Sequence, residues 1–332
     1  MDYQRLSICT GDYDRIQALK TGRALIDGCD LDYLNLDPGS TFQRLFRNHE
    51  FDIAEMSFST YMLALTTGDF PYVAVPVFLS RVFPHGSIYV RTDRGIDAPA
   101  DLHGKKVGIP SYHFTRGLVV RGMLSDSYGV QPQHIRWLIG GIDRPEDFSY
   151  VGRPAPAGVE IAFLEDGRHL GAELAEGRID AIISYRDPQI FTDGTPAIAR
   201  LFPDFRTAEQ AWFRETGIFP AMHVVGIRRS LVAAHPWLPR AVCDGFADAK
   251  RQCEPALADL DALKYMLPWL AAEYHATRAL MGDDFWPYGV PRNGAMIAAQ
   301  TRWSYEQGLS PRVYSAADLF EPSTLTWNSD ER

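Results

Sequence analysis

The chain has 332 residues, 46% of them hydrophobic and 23% charged, with a formal net charge of −9. That length allows two lobes or two domains, and the composition is that of an ordinary globular protein. The acidic balance argues against a general nucleic-acid or anionic-membrane binder, so an anion site must rest on individual arginines.

In chain order, Leu6–Cys9 reads as a short strand, followed by a polar turn and a helix to about Thr21. Leu31–Leu36 is a second strand, Thr41–Asn48 a helix, and Phe51–Ala54 a third strand running into Glu55-Met56-Ser57-Phe58-Ser59-Thr60-Tyr61, where a helix begins. Tyr72–Leu79 and Ser87–Arg91 are strands around a turn that carries Arg81 and His85. A second unit starts near Thr92. Its strand ends at Ile109, Ser111–Thr115 follows, and a helix runs from about Arg116 to Tyr128. Ile135–Ile139 is a strand, 151–159 a Pro/Gly-rich loop, Gly167–Gly177 a short helix, and Ile179–Ser184 a strand ending at Tyr185-Arg186. Phe219–Ile227 is a strand carrying His223, and the chain from Pro236 to about Gly308 is mostly helical.

Strands alternating with helices predict α/β sheets. Phe51-Asp52-Ile53-Ala54 and Ile179-Asp180-Ala181-Ile182 echo each other as helix, short strand and turn. The expected organisation is therefore two lobes: 1–91 with 225–332, and 92–224. Ligands of open α/β sheets sit at the carboxyl ends of strands, so the turns after Ala54, Leu79, Ile109 and Ser184 are expected to face one cleft.

The N-terminus, MDYQRLSICTGDYDRI, lacks the basic and apolar regions of a signal peptide. The longest apolar run, Tyr72–Leu79, is too short to span a bilayer. The four cysteines form no CxxC pair and no zinc spacing. Together these predict a soluble cytoplasmic protein with reduced thiols and no membrane or nucleic-acid partner.

Several segments along the chain carry a family resemblance: EMSFSTY at 55–61, PVFLSRVFPHGSIYV at 76–90, RGML at 121–124, LFPDF at 201–205, TGIFPAMHVV at 216–225, HPWL at 235–238, WPYG at 286–289 and YEQGL at 305–309. With DLHGKKVGI at 101–109 and GRIDAII at 177–183, they resemble the 4,5-dihydroxyphthalate decarboxylase family over about residues 5–321. The resemblance implies a two-lobed, type II periplasmic-binding-protein-like fold, with a mixed sheet flanked by helices in each lobe and the ligand between them. It also implies a cytoplasmic enzyme that removes one carboxylate from 4,5-dihydroxyphthalate, leaving protocatechuate. The competing class on the same fold is a non-catalytic solute-binding protein for a small anionic ligand.

Direct loss of CO2 from such a ring leaves an in-plane aryl carbanion that the π-system cannot delocalise. A para hydroxyl offers another route: its ionisation feeds the ipso carbon, a general acid protonates that carbon, and CO2 departs as the ring becomes aromatic again. This route needs an acid, a phenol partner and carboxylate clamps, but no organic cofactor. His85, with an intrinsic pKa of about 6.5, is the first candidate acid and His223 the second. Glu55 is a candidate acceptor of the phenolic proton, or a first-turn helix residue. Arg81 and Arg186 are candidate clamps, since a guanidinium grips a carboxylate with two prongs. Ser57, Ser59 and His113 are candidate contacts to carboxylate or hydroxyl. Thr115 and Arg116 open a helix whose free N–H groups favour an anion, although Thr115 also suits an N-cap. His85, His223 and Glu55 lie too far apart in sequence to suggest a metal site, and none is expected. WPYG reads as packing of the C-terminal helices, with a contact between subunits of a homo-oligomer.

Overall fold

The computed structural model describes residues 3–146 and 156–329. Among these residues eleven strands form two sheets: β1 Gln4–Thr10, β2 Cys29–Asn35, β3 Ile53–Ser57, β4 Tyr72–Arg81, β5 Ile88–Arg91, β6 Lys106–Ile109, β7 Arg136–Ile139, β8 Glu160–Phe163, β9 Ala181–Ile183, β10 Ile198–Arg200 and β11 Ala221–Arg228. The first sheet has the order β2-β1-β3-β11-β4 and the second β10-β5-β9-β6-β7-β8. β1, β2 and β3 run parallel, while β11 enters antiparallel between β3 and β4. The second sheet repeats this mixture, with β6, β7, β8 and β9 parallel and β5 antiparallel to β9.

The chain leaves the first sheet after β4 and returns to it in β11. The crossovers therefore fall between Arg81 and Ile88 and between Arg200 and Ala221. β5 belongs to the second sheet and all of β11 to the first. Two strands, β8 and β10, and the Phe205–Thr216 helix escape the sequence reading; the two strands are the edges of the second sheet. Most of the expected 151–159 loop lies outside the described residues.

The echo between the lobes has a physical basis. Asp52, just before β3, accepts from the Ser7 backbone N–H of β1 at 2.9 Å and from the Ser7 hydroxyl at 2.8 Å. Asp180, just before β9, accepts from the Lys106 N–H at the start of β6 at 2.8 Å. Each carboxylate satisfies a backbone donor of the neighbouring parallel strand, fixing where pairing begins.

The C-terminal helices pack on elements of both lobes. The Gly294–Glu306 helix packs Trp303 onto Gly122 of the Thr115–Tyr128 helix, where an added Cβ would sit 2.2 Å from the indole. Trp303 donates to Asp126 at 2.8 Å, Arg121 donates to Gln307 at 2.7 Å, and Gln307 donates to the Leu118 carbonyl at 2.9 Å. These buried contacts fix the helix whose first turn faces the cleft. WPYG is packing: Tyr288 is fully buried, and Trp286 donates to the Phe78 carbonyl at 2.9 Å and meets Phe219 edge-on.

Candidate active site

A cleft of about 660 Å³ opens between the sheets. Its first wall is a row across three adjacent strands. His223 on β11 lies opposite Ser57 on β3 and Ser80 on β4, and all three line the cleft. Glu55 faces Val225 in the same ladder, so Glu55 and His223 are diagonal neighbours on one face of the sheet. His223 Nδ1 lies 2.6 Å from Glu55 Oε1. The carboxylate also accepts from Tyr13 Oη at 2.7 Å and from the Gly11 N–H at 2.8 Å.

Burial of Glu55 opposes its ionisation, but the charge and hydrogen bond of His223, with those from Gly11 and Tyr13, bring its carboxyl below the ordinary range. A carboxylate only accepts, so Nδ1 carries the proton and Nε2 is left for a ligand. Burial and the Glu55 charge together raise the Tyr13 phenol well above its ordinary value, which keeps it a donor. Phe42 meets the His223 ring edge-on at 4.9 Å, and Met222 lies beside it in the wall.

The second wall comes from the loop after β6 and the first turn of the Thr115–Tyr128 helix. Pro110, Ser111, His113, Phe114, Thr115 and Arg116 line it. The N-cap of this helix is Phe114, which has no side chain to cap the first turn. The Thr115 hydroxyl serves elsewhere. It lies 3.0 Å from Ser57 Oγ and accepts from the Ser59 N–H at 3.1 Å, joining the lobes beneath the cleft. The uncapped N–H groups therefore point to an anion site beside Arg116. Arg116 has a buried Nε with no partner, a single long contact to Ser87 Oγ at 3.4 Å, and no ion pair among the described residues. Burial lowers its pKa to about 10, so it stays charged. Arg186 also lines the cleft but is half-exposed and pairs with Asp143 at 3.1 Å. Across from it, the first lobe presents the Pro38–Asn48 helix, capped by Asp37.

The structure thus brings His223, Ser57, His113, Thr115, Arg116 and Arg186 to one cleft. Four expected residues do not line it. Glu55 is sealed behind His223 in the middle of β3, not in a helical turn, so it cannot take a proton from a ring hydroxyl. The Ser59 hydroxyl is fully buried away from the cleft. Arg81 is also buried. It donates to the Phe219 carbonyl at 2.7 Å, the Pro287 carbonyl at 2.8 Å and Asn293 Oδ1, holding the crossover to the C-terminal segment. His85 is sealed among Phe202, Trp212 and Tyr128, with neither ring nitrogen bonded among the described residues. Burial lowers its pKa to about 4, leaving it neutral and out of reach of a ligand.

Sequence reasoning missed Tyr13, Ser80, Ser111 and the Asp37-Pro38-Gly39-Ser40 helix start. The last was legible, because Asp at the N-cap with Pro at the first helical position marks a helix N-terminus. Among the described residues no cluster of three or more His, Cys, Asp or Glu could hold a metal ion.

No family model matches the chain. A 4,5-dihydroxyphthalate decarboxylase from Comamonas testosteroni is 39% identical over 325 residues, 98% of each chain. A second, from Pseudomonas putida, is 39% identical over 214 residues, 64% of this chain and 83% of that one. Among solved structures, the periplasmic aliphatic sulphonate binding protein SsuA from Escherichia coli aligns over 97% of this chain and 99% of its own, with TM-score 0.55 and 13% identity. A putative SsuA from Methylobacillus flagellatus aligns over 98% and 93%, with TM-score 0.56 and 14% identity. At such identities the likeness carries the two-lobed binding-protein fold and nothing about chemistry.

Proposed function

The chain belongs to the 4,5-dihydroxyphthalate decarboxylase family and is a carboxy-lyase, and from that premise we propose that it converts 4,5-dihydroxyphthalate to 3,4-dihydroxybenzoate and CO2, with His223 delivering the ring proton. The observation that carries this reading is the Glu55–His223 pair, 2.6 Å apart, on the wall facing Arg116, a half-buried arginine with no ion pair among the described residues. An acid on one lobe and an anion clamp on the other are what the reaction requires.

In the proposed cycle, Arg116 and the uncapped helix N-terminus bind the retained carboxylate. His113 holds the oxygen para to the departing carboxylate as its proton passes to solvent, and that oxygen takes a proton back from solvent once the ring is aromatic again. The electron density that this oxygen supplies reaches the ipso carbon, and protonated His223 transfers its Nε2 proton there, forming the new C–H bond. The C–CO2 bond then breaks, its electron pair restores the aromatic ring, and CO2 leaves. Glu55 acts through His223 as a positioning residue, fixing its tautomer and stabilising the imidazolium. Phe42 and Met222 give the departing group an apolar flank that favours neutral CO2 over carboxylate. Each turnover consumes one proton, which His223 regains from solvent.

The para hydroxyl is the electron source, so the reading calls for neither an organic cofactor nor a metal. Cytoplasmic residence and homo-oligomerisation complete it. The four cysteines are buried and free, which suits a reducing compartment. Among the described residues no helix is long and apolar enough to cross a membrane. The test mixes pure protein with 4,5-dihydroxyphthalate, with and without chelator, and follows CO2 and the ring spectrum. Chelator-insensitive release of CO2 is expected. Tight binding without turnover would return the chain to the solute-binding class.

A further inference from the structure

Ipso protonation uses one ring hydroxyl, the one para to the departing carboxylate. In 4,5-dihydroxyphthalate the second hydroxyl is meta to that carboxylate and cannot feed electrons to the reacting carbon. Selectivity for a ring that bears both must therefore come from a protein contact.

The cleft holds a side chain suited to that contact. Ser111 follows β6 and Pro110, lines the cleft and is only 5% exposed. Its hydroxyl has no hydrogen-bond partner among the described residues. The neighbouring hydroxyls are committed: Ser57 and Thr115 bond each other, Thr60 donates to Ser57, and Ser40 bonds Asp37. A buried hydroxyl without a partner is costly, and a ligand that supplies the partner recovers that cost. Ser111 also stands on the loop that carries His113 and leads into Arg116, so one short segment presents groups for the carboxylate and for the hydroxyls. Trp303 and Gln307 lock the helix behind this loop in place.

We propose that Ser111 bonds the second ring hydroxyl, the one meta to the departing carboxylate, and so sets selectivity for the catechol over the monophenol. The inference rests on the decarboxylase reading of the cleft. A serine hydroxyl both donates and accepts, so it serves a phenol or a phenolate without adding charge.

The test compares 4,5-dihydroxyphthalate with 4-hydroxyphthalate, which keeps the para hydroxyl and lacks the other. Their kcat/KM ratio is insensitive to non-productive binding of the less symmetric ring. The wild type is expected to prefer the catechol by about tenfold or more. Ser111→Ala is expected to lower kcat/KM for the catechol by about tenfold while the monophenol changes by less than about threefold, collapsing the preference. Equal losses on both compounds, or an unchanged ratio, would overturn the assignment. If the wild type turns over neither compound, the decarboxylase reading fails. Calorimetric affinities of both rings for the two proteins then decide the Ser111 contact separately, with a retained preference in the variant counting against it.

Discussion

The crossover turn from Arg81 to His85 and the seam between β3 and β11 hold the same kinds of groups in opposite circumstances. Each has a histidine on or beside the first sheet. At the seam, His223 has a carboxylate behind it and open space in front. In the turn, His85 has aromatic rings on three sides and, among the described residues, no partner for either nitrogen. The arginines differ in the same way. Arg116 is half-buried, has one long contact to Ser87 and borders the cleft, whereas Arg81 is buried and spends its two terminal nitrogens on the Phe219 and Pro287 carbonyls and Asn293. Residue type proposes a chemistry, and the groups still left unpaired decide whether that chemistry is available.

The comparison predicts a clean division: changes at the seam cost rate, and changes at the turn cost stability. The largest effect belongs to His223. His223→Asn is expected to lower kcat roughly 100- to 10,000-fold, about 3–5 kcal/mol, because positioned proton transfer contributes about that much. Its melting temperature should stay close to that of the wild type. Glu55→Gln keeps the shape but removes the charge behind the imidazole, so it should lower kcat, and by less than His223→Asn does. Full turnover by His223→Asn would dissolve the distinction between the two regions.

Next comes Arg81→Met, which keeps much of the side-chain length and deletes the guanidinium. The Phe219 and Pro287 carbonyls and Asn293 then lose a charged donor in a buried place. Chemical denaturation should show a loss on the order of 4 kcal/mol, while kcat/KM per folded molecule stays within about twofold of wild type. A stable but inactive variant would mean that the turn reaches the substrate after all.

This division also explains how much could be read in advance. Nine of the eleven strands among the described residues announce themselves through apolar runs, and the Asp52 and Asp180 echo marks equivalent positions in the two lobes. The residues of the cleft-facing loop, His113 to Arg116, follow from the rule that ligands meet strand carboxyl ends. The Glu55–His223 pair does not follow, because 168 positions separate the partners and only the insertion of β11 beside β3 brings them together. Arg81 and His85 misled for the converse reason. Their closeness in sequence is local, but the Phe205–Thr216 helix and the C-terminal segment that bury them come from elsewhere in the chain.

His85 gives the subtlest test, because its prediction is a slope with pH. Burial holds its folded-state pKa at about 4, whereas the unfolded chain takes up the proton near 6.5. Between those values the unfolded state binds more protons, so stability falls as pH drops through the window and recovers above it. A shift of that size corresponds to at most about 3 kcal/mol lost between pH 7 and pH 4. Glu55, with its lowered carboxyl, withdraws its own contribution only below its ordinary value of 4.5. Glu209, raised by burial, works in the opposite sense and partly offsets His85 in the wild type. The comparison with His85→Leu cancels both carboxylates and leaves the histidine. The variant should unfold with a shallower dependence on pH from 6.5 to 4, while its decarboxylation rate at pH 7 matches wild type. Parallel slopes in denaturation midpoints would show that His85 already carries its proton in the folded protein, and the aromatic cage would then be holding a cation.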